Sequence, residues 1–284
     1  MSDVDWIFPE PDIEVRQGDS LLRRDPRTGE ILELCLVITA DCDISKKKFG
    51  VGLACLRVEF LHDFVRTDWA RSKLARLMST ERDKVRAQLL RWHNARFDTP
   101  RALSARAVDA WIVRATTDTI CAELEIPQDE RKKIGATIDS YRAAFTALGK
   151  CGDADELVKL ATYKAALTGG EVATLFKEYV AQARNESLPE DVFLLPRVPQ
   201  IEERAVLVKL RDLVAVDPAA IRYRASEADS AEHYLRTGRL QPTLKYAISQ
   251  KFGHLYSKIG LSSDFESRHK TAIESVSQIE LEKL

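Results

Sequence analysis

No stretch of this sequence approaches the roughly 20 consecutive apolar residues that a membrane-crossing helix requires. The opening "MSDVDWIFPEPD" is acidic and has no apolar signal-peptide core, so the expectation is a cytoplasmic chain without a membrane partner. Five cysteines (Cys35, Cys42, Cys55, Cys121, Cys151) form no CxxC pair and are odd in number, which argues against a disulfide framework or a zinc knuckle. There is no phosphate-binding Gly-rich loop, no serine nucleophile elbow, no HExxH and no dinucleotide-binding fingerprint. No internal repeat is visible. Net charge is only −1, so no strong field of one sign covers the whole chain.

What is present fits a globular protein. At 284 residues, 45% hydrophobic and 31% charged, the chain can bury a substantial core in one large domain or two ordinary ones. The charge is uneven. Between Arg66 and Arg114 there are twelve Lys/Arg against five Asp/Glu, an excess of seven positives that points to an anionic partner.

Residues 1–12 read as an extended, proline-punctuated lead-in. "GDSLLRRDPRTGEILELCLVITA" reads as a hairpin, with Leu21 and Leu22 before a turn at Asp25–Gly29 and a strand from about Glu30 to Thr39. Its second strand has few polar positions, which fits a strand covered on both faces. "FGVGLACLRVEFL" is a further strand. From Asp68 to about Arg184 the apolar period becomes helical: Leu74, Leu77, Met78, Val85, Leu89 and Trp92 recur at three- and four-residue steps. So do Val108, Trp111, Ile112, Ala115 and Ile120, and then Ile134, Ile138, Tyr141, Phe145 and Leu148. Pro100, Pro127, Gly149–Gly152 and Gly169-Gly170 are the expected breaks, giving five or six helices, the last carrying Val172 to Val180.

After Pro189 the β pattern returns in "DVFLLPRV", kept near an edge by Pro196 and Pro199, and in "RAVLVKLRDLVAVD". "LQPTLKYAISQKFGHLYSKIGLS" reads as a helix from Pro242, with Gly260 as its stop. Neither end has enough strands for a stable sheet alone. The expected fold is helix-rich α+β: segments 1–65 and 189–284 pair into one small mixed or barrel-like sheet, and 66–188 is a helical insertion.

Three segments, "GDSLL", "ADCDIS" and "GRLQPTLKYAISQKFGHLYSKIGL", resemble those of uncharacterised bacterial small-barrel (SH3-like) proteins with a Cys-Asp motif at a strand end. The resemblance implies a setting beside signalling or antiviral defence genes and supplies no activity. It leaves the helical middle outside.

The chemistry-bearing candidates begin with Asp41-Cys42-Asp43. Two carboxylates just past a strand can hold Mg²⁺ or divide nucleophile and acid roles. "LVITADCDIS" resembles the Asp-x-Asp-x-Thr signature of haloacid-dehalogenase-like phosphotransferases, with Ser45 in the threonine's place. That family also needs a later acidic pair after a strand. The only candidate, Asp153 and Asp155, follows a helical pattern instead. Cys42 is a candidate nucleophile if a base or Lys46–Lys48 deprotonates it, yet His62, His93, His233, His254 and His269 are scattered. The competing reading makes Cys42 a small packed hydrophobe and Asp41 and Asp43 caps of a turn. Glu59, His62 and Asp63 are a second, thinner metal candidate without the Glu-x-Lys spacing of restriction-type nucleases.

The basic helical segment carries Arg71, Arg76, Arg82, Arg86 and Arg91, with Trp69 and Trp92 among them, a pattern that could track phosphates or meet an acidic protein. Trp92 and Trp111 fall on the apolar stripes and are expected in the core. On the C-terminal helix, Phe252 and Tyr256 are expected to pack and His254 to face water. The favoured function is a non-catalytic binding or regulatory module that meets protein or nucleic acid through the basic helices. The alternative is a metal-dependent hydrolase or phosphotransferase at Asp41 and Asp43.

Overall fold

A computed structural model describes residues 5–96, 104–201, 205–257, 264–265, 267–268 and 270–272. The expected breaks at Pro100 and Gly260 lie outside the described residues. The chain divides into two units: Met1–Phe60 with Leu188–Leu284, and Leu61–Ser187.

The first unit is a curled, half-barrel sheet built from both chain ends. Its strands are β1 (Trp6–Ile7), β2 (Asp19–Arg24), β3 (Ile31–Val37), β4 (Leu53–Phe60), β5 (Val192–Leu195), β6 (Val206–Val216), β7 (Ile221–Arg222) and β8 (Tyr234–Leu240). The order is β1-β8-β2-β3-β4-β6-β5, antiparallel throughout, with β7 added parallel to β8. The N-terminal hairpin thus sits between β8 and β4, and β5 lies at an edge. The β2–β3 turn forms as its residues dictate: the Asp25 carboxylate accepts from the N–H groups of Arg27 and Thr28, and Gly29 takes φ 73°.

Alternation along β3 feeds two cores. Leu34 and Leu36 join Leu22, Leu56, Val206 and Val208, covered by Ile248 and Leu255 of α9 (Pro242–Ser257). Cys35 and Val37 join Leu21, Leu53, Cys55 and Val216 on the other face. Each leucine so buried contributes about 1.5–3 kcal/mol. Phe252 and Tyr256 pack against the first core, and His254 is exposed. β4 can start beside β6 only because residue 52 is glycine, since a Cβ there would stand 2.9 Å from the Val216 carbonyl oxygen.

Some short elements were not expected from the apolar pattern. α1 (Asp41–Ser45) is a single helical turn in place of a bare strand end. β8 escapes periodicity because Arg236 and Arg239 stand among its few apolar residues.

The second unit is all helical: α2 (Leu61–Phe64), a π-turn (Val65–Trp69), α3 (Ala70–Arg96), α4 (Ala105–Arg114), α5 (Thr117–Glu123), α6 (Gln128–Gly149), α7 (Glu156–Thr168) and α8 (Val172–Asn185). The breaks at Pro127, Gly149–Gly152 and Gly169 fall where expected. One further break, at Ala115-Thr116, splits the stripe from Val108 to Ile120. The Thr116 side chain accepts from Thr119 N–H, and Arg142 donates to the carbonyls of Ile112 and Ala115 that close α4. Trp92 and Trp111 pack against the core of Val85, Leu89, Ile112 and Ile138, as their spacing predicts.

Candidate functional site

The described residues contain four buried polar or charged residues, and all four lie on two paired strands: Asp19 and Ser20 on β2, Arg236 and Thr237 on β8. Buried charge is uncommon enough to mark a place of consequence. Asp19 Oδ1 and Oδ2 accept from Arg239 Nε at 2.6 Å and Nη2 at 2.9 Å, and Oδ2 also accepts from Arg16 N–H. Arg236 lies 3.9 Å from the same carboxylate and stacks 4.7 Å above the Tyr223 ring. It donates to the carbonyls of Pro9, Glu10 and Ile13. Burial pushes the Asp19 carboxyl up, against the pull of Arg239, the Arg16 N–H and Arg236. Ser20 and Thr237 join by their hydroxyls.

The Asp-Cys-Asp triplet adjoins this network. Asp41 Oδ1 accepts from Gln17 N–H at 2.8 Å, and Oδ2 from Lys245 Nζ of α9 at 3.0 Å. The Gln17 side chain reaches the Ile38 carbonyl and Ser249. Residue 18 is glycine because φ is +88° there and the methylenes of Lys245 stand 3.1–3.4 Å from where a Cβ would be. Burial raises the Asp41 carboxyl, but the Gln17 N–H and Lys245 more than offset it and hold the group below its usual range. The three segments of the sequence resemblance therefore meet at one place.

What the triplet can do chemically follows from α1 being helical. Residues two apart on a helix project about 200° apart, so Asp41 turns inward to Lys245 while Asp43 stays with Cys42, whose Sγ is 3.9 Å from Asp43 Oδ1. Among the described residues no group of three or more His, Cys, Asp or Glu is placed to hold a metal ion. The expectation that Cys42 packs as a small hydrophobe is corrected: Cys42 is exposed, and Ile44 supplies the apolar contact instead. Elsewhere, Glu59 pairs with Lys209 and His62 with Asp63. Asp155 caps α7 through Val158 N–H and pairs with Arg66, and that occupies the later acidic candidate.

The five arginines named from sequence all lie on α3 and do not share a face. At about 100° per residue, Arg71, Arg82 and Arg86 lie along one side of the buried stripe, Arg91 lies on its other side and Arg76 projects opposite it. Arg71, Arg76 and Arg91 are exposed; Arg82 is partly covered, 3.9 Å from Asp109, and Arg86 is partly covered too. Trp69 packs inward and donates to Glu186.

Sequence reasoning missed Gln17, Asp19, Arg236, Arg239 and Lys245. The side-chain hydrogen-bond and ion-pair partners that link them to β8 and α9 lie more than 200 positions away, so no local spacing announces them. Compared with known family models, curated proteins and solved structures, the chain matches none.

Proposed function

We propose that this chain is a non-catalytic binding module in which the sheet unit is the scaffold and the helical unit carries the partner surface. The observation that carries this reading is the pair of hydrogen bonds that holds Asp41. Both carboxylate oxygens already accept bonds from the protein's own Gln17 and Lys245. A catalytic carboxylate needs an oxygen aimed at a reacting proton or a metal, whereas Asp41 directs one oxygen to the Gln17 backbone and the other to Lys245 of α9. The exposed cations of the helical unit, including Arg71, Arg76 and Arg91, supply the charge that an anionic protein or nucleic-acid partner would meet. Among the described residues no helix is long and apolar enough to cross a membrane. Bacterial defence or stress signalling is the setting that the sequence resemblance implies.

The test uses the intact chain with Mg²⁺ or Mn²⁺. Bis(p-nitrophenyl) phosphate and labelled nucleic acids serve as substrates, and heparin serves as an anionic binding probe. Saturable, salt-weakened heparin binding, reduced by reversing Arg71, Arg76 and Arg91 to glutamate, is expected, with no turnover. Metal-dependent turnover that Asp43→Asn abolishes would overturn the proposal and restore the hydrolase or phosphotransferase alternative.

A further inference from the structure

A cleft of about 150 Å³ opens in the helical unit between α4 and α6, lined by Asp109, Ile112, Val113, Tyr141 and Phe145 among others. That volume suits one ring-sized or branched aliphatic group, on the scale of a cavity that takes up benzene. Its lips are apolar and open to solvent: Val113 is 69% exposed and Phe145 44%. Single exposed apolar side chains need no explanation, but Val113 and Phe145 line the same cleft.

The charges inside the cleft are already satisfied. Asp109 accepts from Tyr141 Oη at 2.9 Å, and Arg142 is fully engaged with the carbonyls of Ile112 and Ala115, with Thr117 and with Asp139. The uncompensated charge is at the rim and is positive. Arg106 shares the α4 face of Asp109 and Val113, three and seven residues before them, and Lys150 follows Thr146 by one turn at the end of α6. Both are exposed, and neither pairs with a carboxylate among the described residues.

We propose that this cleft receives an apolar anchor from an acidic, amphipathic helix of a protein partner, with the partner's carboxylates meeting Arg106 and Lys150. The proposal rests on the helical unit being the binding half of the chain and names its partner class. An apolar anchor seated in a groove, ringed by complementary charge, is the recurrent helix-in-groove mode. A nucleic acid would follow a path of cations and would gain nothing from Val113.

The probe is a labelled synthetic helix of roughly four turns, with Leu and Phe on one face and Glu elsewhere, added to the intact protein and followed by fluorescence anisotropy. A micromolar Kd is expected. Phe145→Ser should weaken it at least about tenfold, and Arg106→Glu with Lys150→Glu should weaken it and flatten its salt dependence. A twin peptide with Lys for Glu should not bind. Circular dichroism of the variants guards against unfolding, since Phe145 and Val113 are surface positions. Failure of the acidic peptide to bind, or binding indifferent to Phe145→Ser, overturns the inference. So does a DNA duplex that competes for the same site. If heparin binding through Arg71, Arg76 and Arg91 persists in those cases, the broader reading survives while this one falls.

Discussion

Removing the Asp19 carboxylate isolates the energetics of the buried network. In Asp19→Ala the Arg239 guanidinium loses both of its short bonds and Arg16 N–H loses its acceptor. Arg236 keeps its three carbonyl partners and the Tyr223 ring, so the damage centres on Arg239. Breaking one side of a buried ion pair costs about 3–5 kcal/mol. The Arg239 side chain retains 13% exposure and can turn toward water, which favours the low end, about 3 kcal/mol. At about 2–4 °C per kcal/mol for a unit of this size, the melting temperature should fall by about 6–12 °C. Asp19→Ala with Arg239→Met removes both charges and should recover most of the loss, because an absent pair strands no charge. Two units need not unfold together, so the readout is thermal and urea unfolding combined with hydrogen exchange on peptides from β2 and β8. If Asp19→Ala stays within about 1 kcal/mol of the parent, or the double variant is no better than the single, the network is not a coupled ion cluster and the reasoning fails.

Two further expectations concern titration and thiol access. Lys73 at 2.7 Å holds the Glu186 carboxyl down at about 2, opposed by burial and helped by Trp69 and Gln182. A depressed carboxylate stabilises the helical unit above its unfolded pKa of about 4.3 and loses that contribution as pH falls toward the folded value. Glu186→Gln should therefore lower the melting temperature at neutral pH and flatten its fall between those two values, and a parallel offset at every pH would refute the linkage. Cys42 is the exposed thiol, Cys151 is half-buried, and Cys35, Cys55 and Cys121 are buried. In the native protein iodoacetamide should modify Cys42 first, Cys151 more slowly and the other three only after unfolding. Equal rates at Cys35 and Cys42, read by peptide mass, would show that the sheet core is open.

The parts of the fold legible in the sequence are those whose signal is local. Leu34 to Val37 read as a doubly covered strand because every residue there is apolar, and each face does meet its own core. The breaks at Pro127 and Gly169 carry their own backbone chemistry. β8 was invisible because its burial depends on arginines, and a periodicity argument counts arginine as solvent-facing. The Ala115-Thr116 break was hidden because the apolar stripe runs across it; the clustered Thr116, Thr117 and Asp118 were the available sign of a new helix start. Asp41 was singled out as an acid at a strand end, but its partner comes from α9, 204 positions away.

That separation bears on why the polar network sits where it does. A sheet closed by strands from opposite chain ends must choose the register of β8 against β2, and apolar contacts alone choose weakly when the incoming strand carries only Tyr234, Leu235 and Leu240 as large apolar residues. Slipping β8 by one residue would turn Arg236 to the opposite face and draw Arg239 away from Asp19. A buried carboxylate and a buried guanidinium would then lack partners, at several kcal/mol each. Ser20 and Thr237 would separate in the same step. The polar pairs penalise every wrong register far more than they stabilise the right one. In the correct register Gly18 packs against Lys245, Lys245 reaches Asp41, and α1 is drawn onto α9. The Asp41 contact is thus the outermost link of the device that sets how the two chain ends meet.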